Sequence, residues 1–335
     1  MSGPQDVSGH RPVSRRHLQG SAFGAFAAFA AVRSAGAWPG LPSPAPEVIS
    51  DSTSLFLAFG AQTPERYAAG AVRYARTATF PALEGLGMAL ITLEPRALRE
   101  LHWHINANEL THILSGAGVA IIYDGDAPSV VALRPGTLVF FPMGAAHAIW
   151  NTSDEPMELV LGFDHQDQQT INFSASLPSV PPQVLAQTAG VTTDMAPFLA
   201  SAGIGFAVPL EGDPPTPTTN AGEFSTQMDQ VTVERFPGGS RRVTSDEDIA
   251  RMTGIKTTIQ ILEPGGTRLP HWHSHMSELA YCIEGKVQMG IAGQNGLEQT
   301  AVLAAGDLAF VPVNWLHYLT NQGDVPAKLA LYHNA

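Results

Sequence analysis

The chain has 335 residues, of which 44% are apolar and 14% charged, and a formal net charge of −12. That length accommodates two domains with full cores, and the composition excludes both a disordered chain and one that spans membranes along its length. The acidic balance, with no basic stripe, excludes a nucleic-acid partner, and the lone Cys282 excludes an internal disulfide framework.

Residues 1–37 carry the three-part layout of an export signal. Ser14, Arg15 and Arg16 precede an apolar run from Gly20 to Val32 that is too short to cross a bilayer, and Ala35-Gly36-Ala37 follows. The arginine pair resembles a twin-arginine signal, with cleavage expected after Ala37. The expectation is a periplasmic or secreted protein, exported folded, with no membrane partner once the signal is removed.

A first domain is expected over 38–200. Its runs "GMALITLEP", "VAIIY", "SVVALRPGTLVFFP" and "ELVLGF" are short, β-branched and aromatic, and are divided by Gly, Pro and Asp. "PPQVLAQTAGV" predicts a helix with Pro near its start and Gly190 at its end. Residues 201–227 form the expected linker, with "EGDPPTPTTNAGE" extended. The second domain, 228–335, repeats the strand pattern in "KTTIQILEP", "KVQMGIAG", "TAVLAAGDLAFVP" and "AKLALY". The fold class is all-β, with two tandem sandwiches or closed barrels and short linking helices.

The two halves are copies. Arg99, His102, His104, Glu109 and Gly116 recur in order as Arg268, His271, His273, Glu278 and Gly285. Gly136, Pro142, His147 and Asn151 recur as Gly306, Pro312, His317 and Asn321. Alternation along a strand points His102 and His104 to one face, and likewise His271 and His273, with Trp103 and Trp272 pointing outward. Glu109 or Glu278 returns on the next strand, and His147 or His317 begins another after a tight turn. Three neutral imidazoles and one carboxylate fill four positions of an octahedron and leave two adjacent ones open for substrate or dioxygen. One such histidine pair would be weak support, but two complete sets with the same spacing predict two metal centres.

These blocks resemble the cupin motifs, and the pair resembles a bicupin of the oxalate decarboxylase family over roughly residues 70–335, including "LEPRALRELHWH" and "LEPGGTRLPHWH". Asn314 is the single break in the second motif, where the cupin pattern has Gly. The resemblance implies a double-stranded β-helix (jelly roll) in each half and two Mn²⁺ per chain. It also implies assembly into trimers or hexamers and conversion of oxalate to formate and CO2 with O2 as co-catalyst. Arg99 and Arg268 correspond to arginines that bind the substrate carboxylate. His3Glu would prefer iron, copper or zinc on affinity alone, and export of a protein already folded around manganese escapes that competition.

The first site is expected to carry the reaction, because its barrel continues into the lid segment "DHQDQQTINF". Family decarboxylases carry a Ser-Glu-Asn-Ser-Thr loop there, and alignment on Thr170 puts Asp167 in the place of the proton-handling glutamate, with His165 as a second candidate. An oxalate oxidase, making CO2 and peroxide, is the alternative outcome, and a non-enzymatic bicupin that binds metal or a small acid is a third. Another metal-dependent bicupin activity on a larger organic acid also stays open. His112 is expected in the outer layer, His275 at the surface, Cys282 as a buried apolar residue, and Trp103 and Trp272 at an interface.

Overall fold

The computed structural model describes residues 54–190, 192–193, 205–293 and 297–334. The expected signal, residues 1–37, lies outside them. Each half is a pair of opposed antiparallel sheets. In the first half, one sheet runs in the order Ser225–Gln227, Thr137–Phe141, Glu109–Ser115, Met157–Phe163, Gly87–Leu93, Gly70–Ala75, Glu65–Tyr67. The facing sheet runs Thr170–Asn172, Ala97–His104, Ala146–Asn151, Gly118–Tyr123, Ser129–Leu133, with Ala207–Pro209 also on Ala97–His104. The second half repeats this with Phe56–Leu57, Leu308–Val311, Glu278–Glu284, Ala327–Asn334, Ile255–Leu262, Gly239–Val243 and Val233–Phe236 against Thr267–His271, Leu316–Thr320, Lys286–Ala292 and Glu298–Ala304. The all-β tandem architecture expected from the strand pattern is the one found.

Segments between and before the halves are woven into them. Ala207–Pro209 and Ser225–Gln227, from the stretch expected to link the domains, add strands to the first half. Phe56–Leu57, ahead of the first barrel, pairs instead with Leu308–Val311 of the second. The expected helix spans Pro182–Ala189 and ends on Gly190 at φ 65°, a left-handed conformation that glycine adopts without a Cβ clash.

One face of each seven-stranded sheet lines its own barrel, and the other packs against the neighbouring half. Met88, Leu110, Leu138, Phe140 and Val160 share a core with Ile259, Leu279, Tyr281, Leu331 and Tyr332. The Tyr332 hydroxyl donates to the Val160 carbonyl at 3.3 Å, and its ring lies where a side chain at Gly162 would stand.

His112 belongs to this interface. It alternates away from Glu109, as its position predicts, but it is buried against the second half rather than lying in an outer layer. Burial, with a smaller contribution from Lys328, pulls its imidazolium down to about 3. The unfolded chain accepts the proton near the ordinary value of about 6.5, so this ring costs nothing above that pH. It destabilises the fold progressively as pH falls towards 3, by up to about 1.4 kcal/mol per pH unit. His112→Met should therefore flatten the acid side of the melting-temperature profile between about pH 6 and 4. A variant with the wild-type acid profile would show that His112 is not the group responsible.

Candidate metal centres

Two antiparallel strands and one return strand build each centre. His102 and His104 lie on Ala97–His104, which pairs with Ala146–Asn151 so that His102 faces His147 across the ladder. Glu109 opens Glu109–Ser115 on the opposite sheet. The His102 and His147 ring centroids are 4.1 Å apart, and His104 lies 5.3 and 5.4 Å from them. His104 Nε2 is 2.8 Å from Glu109 Oε2, and His147 Nε2 is 3.7 Å from it. In the second half, the His271–His317, His271–His273 and His273–His317 centroid distances are 4.2, 5.2 and 5.2 Å. Glu278 Oε2 lies 3.2 Å from His273 Nε2 and 3.6 Å from His317 Nε2. In each set, one donor atom per residue lies within 4.8 Å of all the others.

The donor chemistry fits a cation. Nδ1 of His102, His147, His271 and His317 lies 2.8, 2.9, 2.7 and 3.2 Å from the carbonyl oxygen two residues earlier. That contact assigns the proton to Nδ1 and leaves the Nε2 lone pair free to ligate. Nε2 of His147 and His317 and Oε1 of Glu278 are buried with no hydrogen-bond partner. Burial holds His102 well below its ordinary value, helped by Arg99, and it also lowers His147. His271 falls to about 4, through burial and then His317. Burial alone would raise the Glu109 carboxyl, but the hydrogen-bonded His104 and the nearby His147 override it and hold it well below the usual range. Glu278 behaves the same way, with His317 as the main opposing influence. The lowered His102 and His147 beside an ionised Glu109 suit uptake of a divalent metal. At the second centre, by contrast, the charge of Glu278 outweighs burial and raises His317 above its ordinary value.

Asn314 explains why the second motif survives its missing glycine. It adopts φ 66°, close to the 81° of Gly144 at the matching turn, and Asn tolerates this left-handed region better than other side chains. His317 therefore stays in register with His271. Asn151 and Asn321 are fully buried and fix the far end of the same strands. Each donates Nδ2 to backbone carbonyls, Asn151 to Leu93, Glu94 and Glu155, and Asn321 to Leu262 and Val325.

Arg99 and Arg268 reach the centres by a device hidden from simple alternation. Three residues before His102, Arg99 should point to the opposite face. A bulge inserts one extra residue between Arg99 and His102 relative to Ile149 and His147, which restores the shared face. The same shift separates Arg268 from His271. Arg99 is buried, with Cζ 4.0 Å from the Phe206 ring centroid and Nη1 donating to the Phe206 carbonyl at 3.3 Å. Burial lowers its pKa only to about 10, so it remains cationic. Arg268 lines a cavity of about 320 Å³ with Arg241, His271, His273, Glu278 and His333.

The two centres differ in cover. All four clustered residues of the first are buried, and Thr170–Asn172 of the lid segment pairs directly with His102–His104. Thr170 Oγ1 lies 3.0 Å from His104 Nδ1, a contact that sequence reading missed. Asp167 does not face the ligands in this conformation. Its Oδ1 accepts from the Thr77 backbone N–H at 3.0 Å and its Oδ2 from the Thr77 hydroxyl at 2.7 Å, while its own N–H donates to His165 Nδ1. The second centre is more open, with His271 and His273 partly exposed and Trp272 60% exposed. His275 is exposed, Trp103 is half-buried, and Cys282 is buried, its thiol pushed up to about 12 by burial.

Comparison with known families gives the assignment. The Cupin family model matches twice, over residues 59–196 and 227–332. The chain is a cupin. It is a bicupin, similar to the oxalate decarboxylase OxdC of Bacillus subtilis at 29% identity over 266 residues, covering 76% of this chain and 69% of that protein. A solved structure of the oxalate decarboxylase from Bacillus subtilis at pH 4.6 aligns with a TM-score of 0.76 and 25% identity, covering 84% of this chain and 76% of the other. Oxalate oxidase 2 of Hordeum vulgare is also similar, at 28% identity over 143 residues, covering 39% of this bicupin and 62% of that protein.

Proposed function

We propose that this bicupin is a manganese-dependent oxalate decarboxylase that converts oxalate to formate and CO2 at its first centre, with O2 as co-catalyst. The observation that carries the reading is the pairing of a complete, buried His3Glu set with the buried, charged Arg99 beside it. The likeness to the Bacillus subtilis enzyme, whose Mn(II) centres are the subject of a solved structure, supports the choice of metal and substrate. His102, His104, Glu109 and His147 would hold the metal, which would supply a Lewis acid and a one-electron redox partner. Arg99 would fork onto a carboxylate of the substrate. Oxalate dianion plus one proton equals formate plus CO2, so an acid must reach the carbon that loses its carboxylate. Export through the signal expected in residues 1–37 and assembly into a homo-oligomer complete the proposal.

Assay of the manganese-loaded protein with oxalate, quantifying CO2, formate and peroxide together, tests it. Near-equal formate and CO2 supports the decarboxylase. Peroxide with no formate assigns an oxidase, the second reading, which is favoured by a lid with no glutamate over 164–172 and by the engagement of Asp167 with Thr77.

Lid variants separate these roles. Asp167→Ala should lower formate yield at least about tenfold and raise the share of peroxide, the size of a lost general acid. Thr77→Val removes the side-chain anchor but keeps the carboxylate, so it should retain formate production. Equal losses in both variants would make Asp167 a lid fastener, and His165 would become the candidate acid.

A further inference from the structure

The two centres share their four ligands but differ in what grips the glutamate. At the first, the Thr111 hydroxyl donates to Glu109 Oε1 at 2.6 Å, the oxygen that does not face His104 and His147. Phe163, paired with Glu109 across the strands, stands edge-on to His104 at 5.1 Å and 73°. The duplication places Ala280 opposite Thr111 and His333 opposite Phe163. Ala280 has no hydroxyl to give. His333 pairs with Glu278 across the strands and stands edge-on to His273 at 5.0 Å and 78°, so its ring fills the place of the Phe163 ring. Its Nε2 lies 3.0 Å from Glu278 Oε2, the oxygen turned towards His273 and His317. The ring is buried, and its Nδ1 has no partner. Glu278 Oε1, the counterpart of the oxygen that Thr111 holds, is also buried and unpartnered.

A lost hydroxyl and a gained imidazole thus occur together around one carboxylate. We propose that His333 is a positioning residue for Glu278, which makes the second centre a metal site of different character from the first. It fixes the ligand from its inner oxygen, whereas Thr111 fixes Glu109 from its outer one. His333 is not itself within ligating range of the whole set, so it acts through Glu278. The inference rests on metal binding at the second centre and is independent of the substrate.

The test uses the full chain titrated with Mn(II), with free and bound metal followed by electron paramagnetic resonance. His333→Phe should weaken the second centre by at least about tenfold and leave the first unchanged, as expected when a group that orients a ligand is removed. Phe at this position copies the packing of Phe163, which favours an intact fold, and a metal-free melting curve checks it. Adding Ala280→Thr to His333→Phe installs the first centre's grip, so the affinity should recover and the Mn(II) spectrum of the second centre should approach that of the first. His333→Phe binding the second Mn(II) as tightly as the unaltered protein overturns the proposal. A double variant as weak as His333→Phe also overturns it, because the loss then comes from packing. Uptake of only one Mn(II) by the unaltered protein overturns the metal reading of the second centre, and this inference with it.

Discussion

Glu109→Gln should end turnover and reduce bound metal from about two ions per chain to about one. Glutamine keeps the shape of the side chain but removes the only negative charge among the four ligands, since His102 and His147 are held neutral by burial. Glu109 stays ionised because His104 and His147 oppose the cost of its burial, so its depressed pKa contributes stability above the usual carboxylate range. That contribution fades as pH falls through its native value. His102→Ala should behave like Glu109→Gln, whereas His271→Ala should remove the other metal and lower the rate only in part. Elemental analysis of the purified variants decides the matter, and unchanged metal in all three would remove the ligand assignment.

Arg99→Lys should raise KM for oxalate about 30-fold with both metals retained, equivalent to about 2 kcal/mol for a lost charge-assisted hydrogen bond. Lysine keeps the charge but cannot stack on Phe206, donate to its carbonyl from a planar fork, and present two further N–H groups to a carboxylate at once. Arg268→Lys should have a smaller effect on KM, since the proposed reaction is at the other centre. Wild-type kinetics for Arg99→Lys would leave Arg99 with a packing role beside Phe206.

The two His3Glu clusters were legible because strand alternation and duplication act on short distances along the chain. His102 and His104 share a face whatever surrounds them, and the second copy repeats the pattern. The strands and the helix closed by Gly190 followed from the same local rules. What could not be read depends on contacts between distant segments. Arg99 reaches the centre only because a bulge undoes its parity, and nothing in "RELHWH" announces that extra residue. The Thr77 partner of Asp167 lies on a turn far earlier in the chain, so a lid judged from its own sequence looked freer than it is. His112 changed from outer layer to interface because a second sheet covers it. His333 was within reach of the duplication, one position beyond "AKLALY", but its meaning depends on Phe163 and on Ala280 replacing Thr111.

The strand Phe56–Leu57 lies before the first barrel in sequence and pairs in the second. Each half therefore completes the other, since the second also receives the apolar face of Leu110, Leu138, Phe140 and Val160. A cut in the exposed stretch 211–217 would separate the polypeptide without separating the molecule. The two fragments would remain associated, and co-expressed fragments should reconstitute by complementation where either alone would present an uncovered sheet. The repeat has become a mutual dependence, since a transplanted barrel would leave behind the strand or the apolar face that its neighbour supplies.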